Sequence, residues 1–203
     1  MTPGKRSTPR RNDEAKPNTR QQLIDAVLEL LMEDGADAVT VGAVAQRADV
    51  ALRTVYNHFP SREALLEAAL DLITSDIRTV LTEALPEDDP SEVRIRRFVS
   101  IAFDQFDRLG PLLTRILSIR GIPQLEARLA EVGRWRREQV DDIVSAACAD
   151  GTARLEPEHA TALIDALIRH GSWEALVQWG GLSAERAGEL LGDALVTALI
   201  KPA

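Results

Sequence analysis

The stretch VALRTVYNHFPSRE, Val50 to Glu63, decides how this chain is read. It sets an arginine, two hydroxyls, an amide and an imidazole within about two helical turns, then stops at Pro60. A proline pushes the residue before it out of the α region, so Phe59 ends a helix that begins at Leu52. Leu52, Val55 and Phe59 fall at i, i+3 and i+7 and form its expected buried stripe. Arg53, Thr54, Tyr56, Asn57 and His58 are left outside. A solvated helix of this length normally carries Glu and Lys. This one carries groups suited to phosphate oxygens and base edges.

The flanking residues frame that helix. Upstream, a first helix starts after Thr19, buries Leu23, Val27, Leu30 and Leu31, and ends at Gly35, an expected left-handed cap. Thr40 can cap the orphan amides of a second helix, whose inner face is Val41, Val44, Ala45 and Ala48. Counting from Val41, Ala45 is at the fifth position, where a small residue lets two helices touch. Asp49 is at the ninth, in the turn, and Val55 at the fifteenth, which is helix-turn-helix spacing. The turn position favours Gly, and Asp is among the few other residues that tolerate a left-handed backbone. Downstream, Ser61 caps a long helix carrying Leu65, Leu66, Ala69, Leu72, Ile73, Ile77 and Leu81. Arg62 lies in its first turn, where a cation opposes the helix dipole unless an anion docks there.

In order and spacing, Thr40-Val41, Ala45, Ala48, Val50, Thr54, Tyr56, His58-Phe59 and Ser61-Arg62-Glu63-Ala64-Leu65 resemble the DNA-binding head of the TetR family of bacterial repressors. The likeness spans about residues 19–70; beyond it, only helix number, length and acidity agree. Two positions depart: Asp49 stands where the family usually has Gly, and Ala51 where it usually has Ser, which removes an N-cap from the reading helix. The resemblance implies that Thr40, Thr54, Tyr56, His58 and Arg62 grip backbone phosphates. Arg53 and Asn57 are the candidates for base edges, a guanine and an adenine respectively.

Charge agrees with that division of labour. Residues 1–62 hold 9 Lys+Arg against 8 Asp+Glu, and residues 63–203 hold 15 against 24. Only the N-terminal end is compatible with a polyanion. Residues 1–18, rich in Pro, Ser, Thr, Asn and charge, are expected to be a disordered basic arm able to reach phosphates or a minor groove. A helix-turn-helix domain follows over 19–62, a connector helix over about 61–85, and a ligand-binding and dimerisation domain over 86–203. The expected fold is all-α, with about nine helices: Ser91–Leu109, a short one to Ile119, Pro123–Ala149, Pro157–Trp179 and Ser183–Ile200 in the body.

Several function classes recede. No apolar run approaches the ~20 residues that span a bilayer, no secretory signal is visible, and one cysteine, Cys148, builds no internal disulfide. A cytoplasmic protein, DNA-associated when bound, is expected, without a membrane partner. No Gly-rich phosphate loop, nucleophile elbow or metal-spaced cluster appears, so no enzymatic activity, cofactor or metal is expected. The 21 Arg against 3 Lys hint at a GC-rich bacterial genome.

For the body, the resemblance implies a homodimer through the last two helices and a small-molecule pocket whose occupancy moves the heads. Leu190, Leu191, Ala194, Leu195, Ala198 and Leu199 are the expected dimer stripe on the last helix, with Gly188 and Gly192 allowing close approach. Leu163, Leu167, Ile168 and Trp179 supply the helix before it. Phe103, Phe106, Arg120, Trp135, Gln139, His170 and Trp173, large or polar residues on apolar faces, are the ligand-binding candidates. His170 and Trp173 lead because i, i+3 spacing puts them on one face. The chain therefore reads as a ligand-responsive DNA-binding transcriptional regulator, a repressor released from a palindromic operator by a small molecule. The rival is a helical ligand-binding or scaffold protein whose head binds no DNA; a further alternative is an activator or an architectural binder.

Overall fold

The computed structural model describes residues 18–202. All regular elements among them are helical, apart from one isolated bridge between Ala153 and Ile200. The head comprises α1 (Thr19–Glu33), α2 (Val41–Arg47) and α3 (Leu52–His58), and α4 (Arg62–Ala84) leads out of it. The body adds α5 (Ser91–Ser118), α6 (Pro123–Ala149), α7 (Pro157–Leu167), α8 (His170–Trp173, continuing as a π-helical segment Glu174–Trp179) and α9 (Ala184–Leu199). The expected basic arm lies outside the described residues except for Asn18, whose side chain accepts from the Arg20 amide and caps α1.

Head packing follows the apolar spacing. Leu23, Val27, Leu31, Val39, Val44, Val55, Phe59 and Leu65 are buried in one cluster. Gly35 closes α1 with φ 86°, a backbone open in practice only to glycine. Asp49 holds the helix-turn-helix turn at φ 52°, the left-handed geometry expected there. One expectation fails: Leu52 is 49% exposed instead of lying in the buried stripe. It stands in the first turn of a two-turn helix, and only Val55 and Phe59 reach the shared core.

The body departs from the sequence reading at three places, each for a visible reason. The expected break at Gly110 exists, at φ 44° and ψ −127°, but the chain resumes its helix at once, so α5 is one kinked helix instead of two. The expected single helix Pro157–Trp179 is interrupted where Ile168 leaves helical geometry and Arg169 turns extended. Arg169 folds back there, donating to the Asp165 carbonyl at 2.9 Å and to its carboxylate at 2.5 Å, while Arg136 holds the other carboxylate oxygen at 2.8 Å. On α9, the expected apolar stripe splits. Leu195 and Leu199 turn into the protein's own core, whereas Leu190, Ala194 and Ala198 stay exposed. Gly188 and Gly192 serve the packing of α9 on α5, where an added Cβ would lie 3.4 Å from the Cα of Ser100 and of Arg96.

Two hydrophobic clusters result. One spans the head and includes Leu112, Ile116, Ile119, Ile122 and Leu125 of the body. The other joins α5, α6, α7 and α9 around Phe98, Phe103, Val140, Ile143, Ile164 and Leu195. The segment of α5 beyond Gly110 is thus packed into the head's own core. Arg115 on that segment reaches Gly35, with a guanidinium nitrogen 3.1 Å from where a Cβ there would sit.

Candidate nucleic-acid interface and effector cavity

The reading helix α3 presents its polar residues as its spacing demands. Arg53, Tyr56, Asn57 and His58 are exposed, Tyr56 by 53%, and Thr54 is half-buried. Tyr56 takes no part in the core. Ala51, at the N-cap, makes no side-chain hydrogen bond, so the first amides of α3 lack the acceptor that Ser would supply. His58, in the last turn, is well placed against the helix dipole.

Two residues carry structural duties beside their expected ones. The Thr40 hydroxyl accepts from the Ala43 amide at 3.1 Å, which fixes the start of α2. Its own proton is not consumed by that bond and remains available to a phosphate oxygen. Arg62 does not stand free. Its guanidinium donates to the carbonyls of Val39 at 2.7 Å and Ala36 at 2.8 Å. Those acceptors offset the unfavourable position of a cation at the start of α4, and they clamp the loop that delivers Thr40. Arg62 thus has a positioning role beside the expected phosphate grip, since Nε and Nη2 hold backbone oxygens while the Nη1 protons are not used by those bonds. Ser61 caps α4 through the Ala64 amide at 3.3 Å, and Arg20 stacks on Phe59 with its guanidinium carbon 5.0 Å from the ring centroid.

The body holds a half-open cavity of about 730 Å³ between α4, α5, α6 and the turn into α8. Its walls are mostly apolar: Leu70, Ile73 and Ile77 from α4, Phe98 and Phe106 from α5, Leu129 and Trp135 from α6. Of the seven expected ligand residues, Phe106, Arg120, Trp135 and His170 line it. Phe103, Gln139 and Trp173 do not. Phe103 is fully buried against Phe106 at 6.2 Å between ring centroids, and Trp173 packs behind His170 at 5.1 Å. Phe106 meets His170 edge-on, at 5.7 Å and 85°. The pair that leads on spacing is therefore one wall residue with a core residue supporting it.

Polar wall groups that the sequence reading missed complete the cavity: Gln105, Thr114, Arg136, Arg169 and Glu174. Gln105 carried a usable signal, since it lies i+3 from Ala102 and i+7 from Phe98 on an apolar face. The Thr114 hydroxyl sits 3.4 Å from His170 Nε2, and Glu174 lies 3.8 Å from His170 Nδ1. Burial pushes the His170 imidazole below its ordinary pKa, and Glu174 opposes this only in part. Burial also pushes the Asp165 carboxyl upward, but the guanidiniums of Arg136 and Arg169 outweigh it and hold the group ionised.

The arrangement is a helix-turn-helix head on a helical body that holds a half-open, mostly apolar cavity. Residues 23–69 match the family described as bacterial regulatory proteins, tetR family. The regulator BetI of Burkholderia ambifaria is 27% identical over 183 residues, which cover 89% of this chain and 93% of BetI. The nucleoid occlusion factor SlmA of Pasteurella multocida is 28% identical over 117 residues, 55% of this chain and 58% of SlmA. The chain thus spans little more than half of SlmA but nearly all of BetI. Among solved structures, the transcriptional regulator FadR of Bacillus subtilis in complex with stearoyl-CoA aligns with a TM-score of 0.74 at 19% identity, covering 88% of this chain and 98% of FadR. Residues 23–69 thus carry a TetR-family DNA-binding head, and the chain is a DNA-binding transcriptional regulator.

Proposed function

We propose that the chain is a homodimeric repressor that holds a palindromic operator until a small molecule fills the body cavity. The observation that carries the ligand response is a shared wall. Leu70 and Ile73 of α4 and Ile116 of α5 belong at once to the cavity lining and to the head's hydrophobic cluster. A ligand that reshapes the cavity presses on residues that also seat the head. Operator favours one seating and ligand another, and linkage then makes each weaken the other's binding.

On the DNA, Arg53 forks onto a guanine and Asn57 onto an adenine, each pair contributing about 1–3 kcal/mol of discrimination. Thr40, Thr54, Tyr56 and His58 hold phosphates, and Arg62 positions Thr40 through the loop carbonyls. The dimer forms through the outward side of α9 and the segment before it. Leu190, 47% exposed, and Trp179, 79% exposed, are large apolar surfaces that the monomer leaves uncovered. Leu190→Glu combined with Ala194→Glu is expected to give monomers in sedimentation velocity; persistence of the dimer would move the interface elsewhere. The test of the whole reading is competition. A molecule that binds the body should release operator DNA in a concentration-dependent way, and simultaneous tight binding of both with no mutual effect would reject the repressor mechanism.

A further inference from the structure

The cavity wall carries more positive charge than it neutralises. Arg120, Arg136 and Arg169 line it, and Glu174 is the one carboxylate among the described residues that do so. Behind the wall, the carboxylate of Asp165 is shared: Arg136 donates to one oxygen at 2.8 Å and Arg169 to the other at 2.5 Å. Three guanidiniums thus stand against two carboxylates, an excess of one positive charge. His170 adds none at neutral pH, because burial pushes its imidazole below the ordinary range. In a cleft with mostly apolar walls, such an excess acts more strongly than on an open surface.

Arg120 is where that excess is available. Its guanidinium bonds the carbonyls of Leu117 and Ile119, both through Nη1, and among the described residues it forms no ion pair. Glu126, the first acid after it in the chain, is turned to the Gly121 amide at 3.1 Å. A guanidinium has five N–H donors, so those on Nε and Nη2 of Arg120 are not used by these bonds. Arg120 is exposed while lining a half-open cavity, which places it where the cavity meets solvent. A cation is less well served, because the ring of Trp135 in the wall already carries Arg78, 5.3 Å from its centroid.

We propose, on the reading that this cavity is the effector site, that it takes an amphipathic monocarboxylate, with an apolar body inside the cavity and a carboxylate paired with Arg120 at its edge. A planar carboxylate matches the guanidinium fork and accepts two parallel hydrogen bonds from Nε and Nη2. Arg136 and Arg169 stay on Asp165 and contribute their field from the wall. The apolar body of the ligand rests on Phe106, Trp135, Ile73 and Ile77. Held at the solvent edge, the carboxylate keeps part of its hydration, so the cost of carrying an ion into an apolar interior does not arise.

The experiment compares an acid, an alcohol and an amine on each of two bodies, one rigid and one flexible. The first series is 4-biphenylacetate, 2-(biphenyl-4-yl)ethanol and 2-(biphenyl-4-yl)ethylammonium; the second is decanoate, decan-1-ol and decylammonium. Binding to the full chain is followed by calorimetry at neutral pH. In at least one series the acid is expected to bind about fivefold or more tightly than the alcohol and the amine, although it is better hydrated than the alcohol. Arg120→Gln, checked for an unchanged melting temperature, should weaken that acid about tenfold, the loss of a charge-assisted pair, and leave the alcohol unmoved. Arg120→Lys should retain part of the preference, and Arg186→Gln, which removes the same charge from the surface of α9, should retain all of it. Equal or tighter binding of the alcohol or the amine in both series, or acid affinity unmoved by Arg120→Gln, overturns the assignment of ligand class and leaves the effector site standing. Failure of all six molecules to bind the parent chain overturns the effector site as well.

Discussion

The head and the body use the same kind of amphipathic helix to opposite ends. In the head, apolar residues close a core and the proposed DNA contacts are what remains outside: Arg53, Tyr56, Asn57 and His58 on a helix of seven residues. In the body, the proposed effector site is what the helices fail to fill, a cavity of about 730 Å³ whose walls come from four places in the chain. A binding surface on one short helix is a local property, whereas a void is a property of several helices at once. The two are joined by α4 and by α5 beyond Gly110, which pack into the head on one side and line the cavity on the other.

The largest expected effect separates the two regions. Arg53→Ala with Tyr56→Ala should lower operator affinity by at least about thirtyfold, since it removes a base contact and a phosphate contact of roughly 1–3 kcal/mol each. The dimer seen in sedimentation velocity should not change. Fluorescence anisotropy on labelled operator and sedimentation velocity on the protein check both halves; a parallel loss of the dimer would break the division between head and body.

Gly110 tests the junction. Its φ of 44° and ψ of −127° suit glycine alone, and an added Cβ would meet nothing within 4 Å, so a substitution there strains backbone without clashing. Gly110→Ala should cost about 1–3 kcal/mol in urea unfolding and weaken the mutual effect of ligand and operator. Unchanged stability would mean that the kink is not imposed by this residue.

A smaller gain is expected from repairing the head. Ala51→Ser supplies the missing N-cap of α3 and should raise stability by about 1 kcal/mol, read from the denaturation midpoint of the full chain. If the midpoint does not move, the first turn of α3 is fixed by packing and not by its cap.

The legibility of the two regions in sequence follows from the same contrast. The turn at Asp49, the cap at Thr40 and the stop at Phe59 are decided by neighbouring residues, so local spacing was enough to place them. Leu52 was misplaced because periodicity reports a face but not where a neighbouring helix ends. The structural duty of Arg62 was not legible because its partners, the carbonyls of Val39 and Ala36, are more than twenty residues away in the chain. In the body, Phe103 and Trp173 look like Phe106 and His170 to any pattern; which of them meets the void depends on the kink at Gly110 and the interruption at Ile168-Arg169. Gly188 and Gly192 were recognised as a close-approach site, but the helix that approaches is α5 of the same chain.

The smallest prediction concerns pH and the cavity wall. His170 is held below the ordinary histidine range chiefly by burial, against a weaker pull from Glu174, so the native imidazole is neutral. The unfolded chain takes up that proton below about pH 6.5. The unfolded state then binds more protons, so this contribution to stability is complete above about pH 6.5 and is lost as pH falls below it. His170→Asn should flatten that part of a stability-versus-pH curve; an unaltered slope between about pH 6.5 and 5 would show that His170 is not its source.

The most direct test of the account is selection of binding sites by the full chain from a random double-stranded DNA pool, repeated across a salt series. The account predicts a palindrome with half-sites roughly 34–36 Å apart along one face of the duplex, bound with affinity that falls steeply as salt rises. Recovery of no motif, with binding equal to that of unselected DNA at every salt concentration, would contradict the central claim that α3 reads sequence.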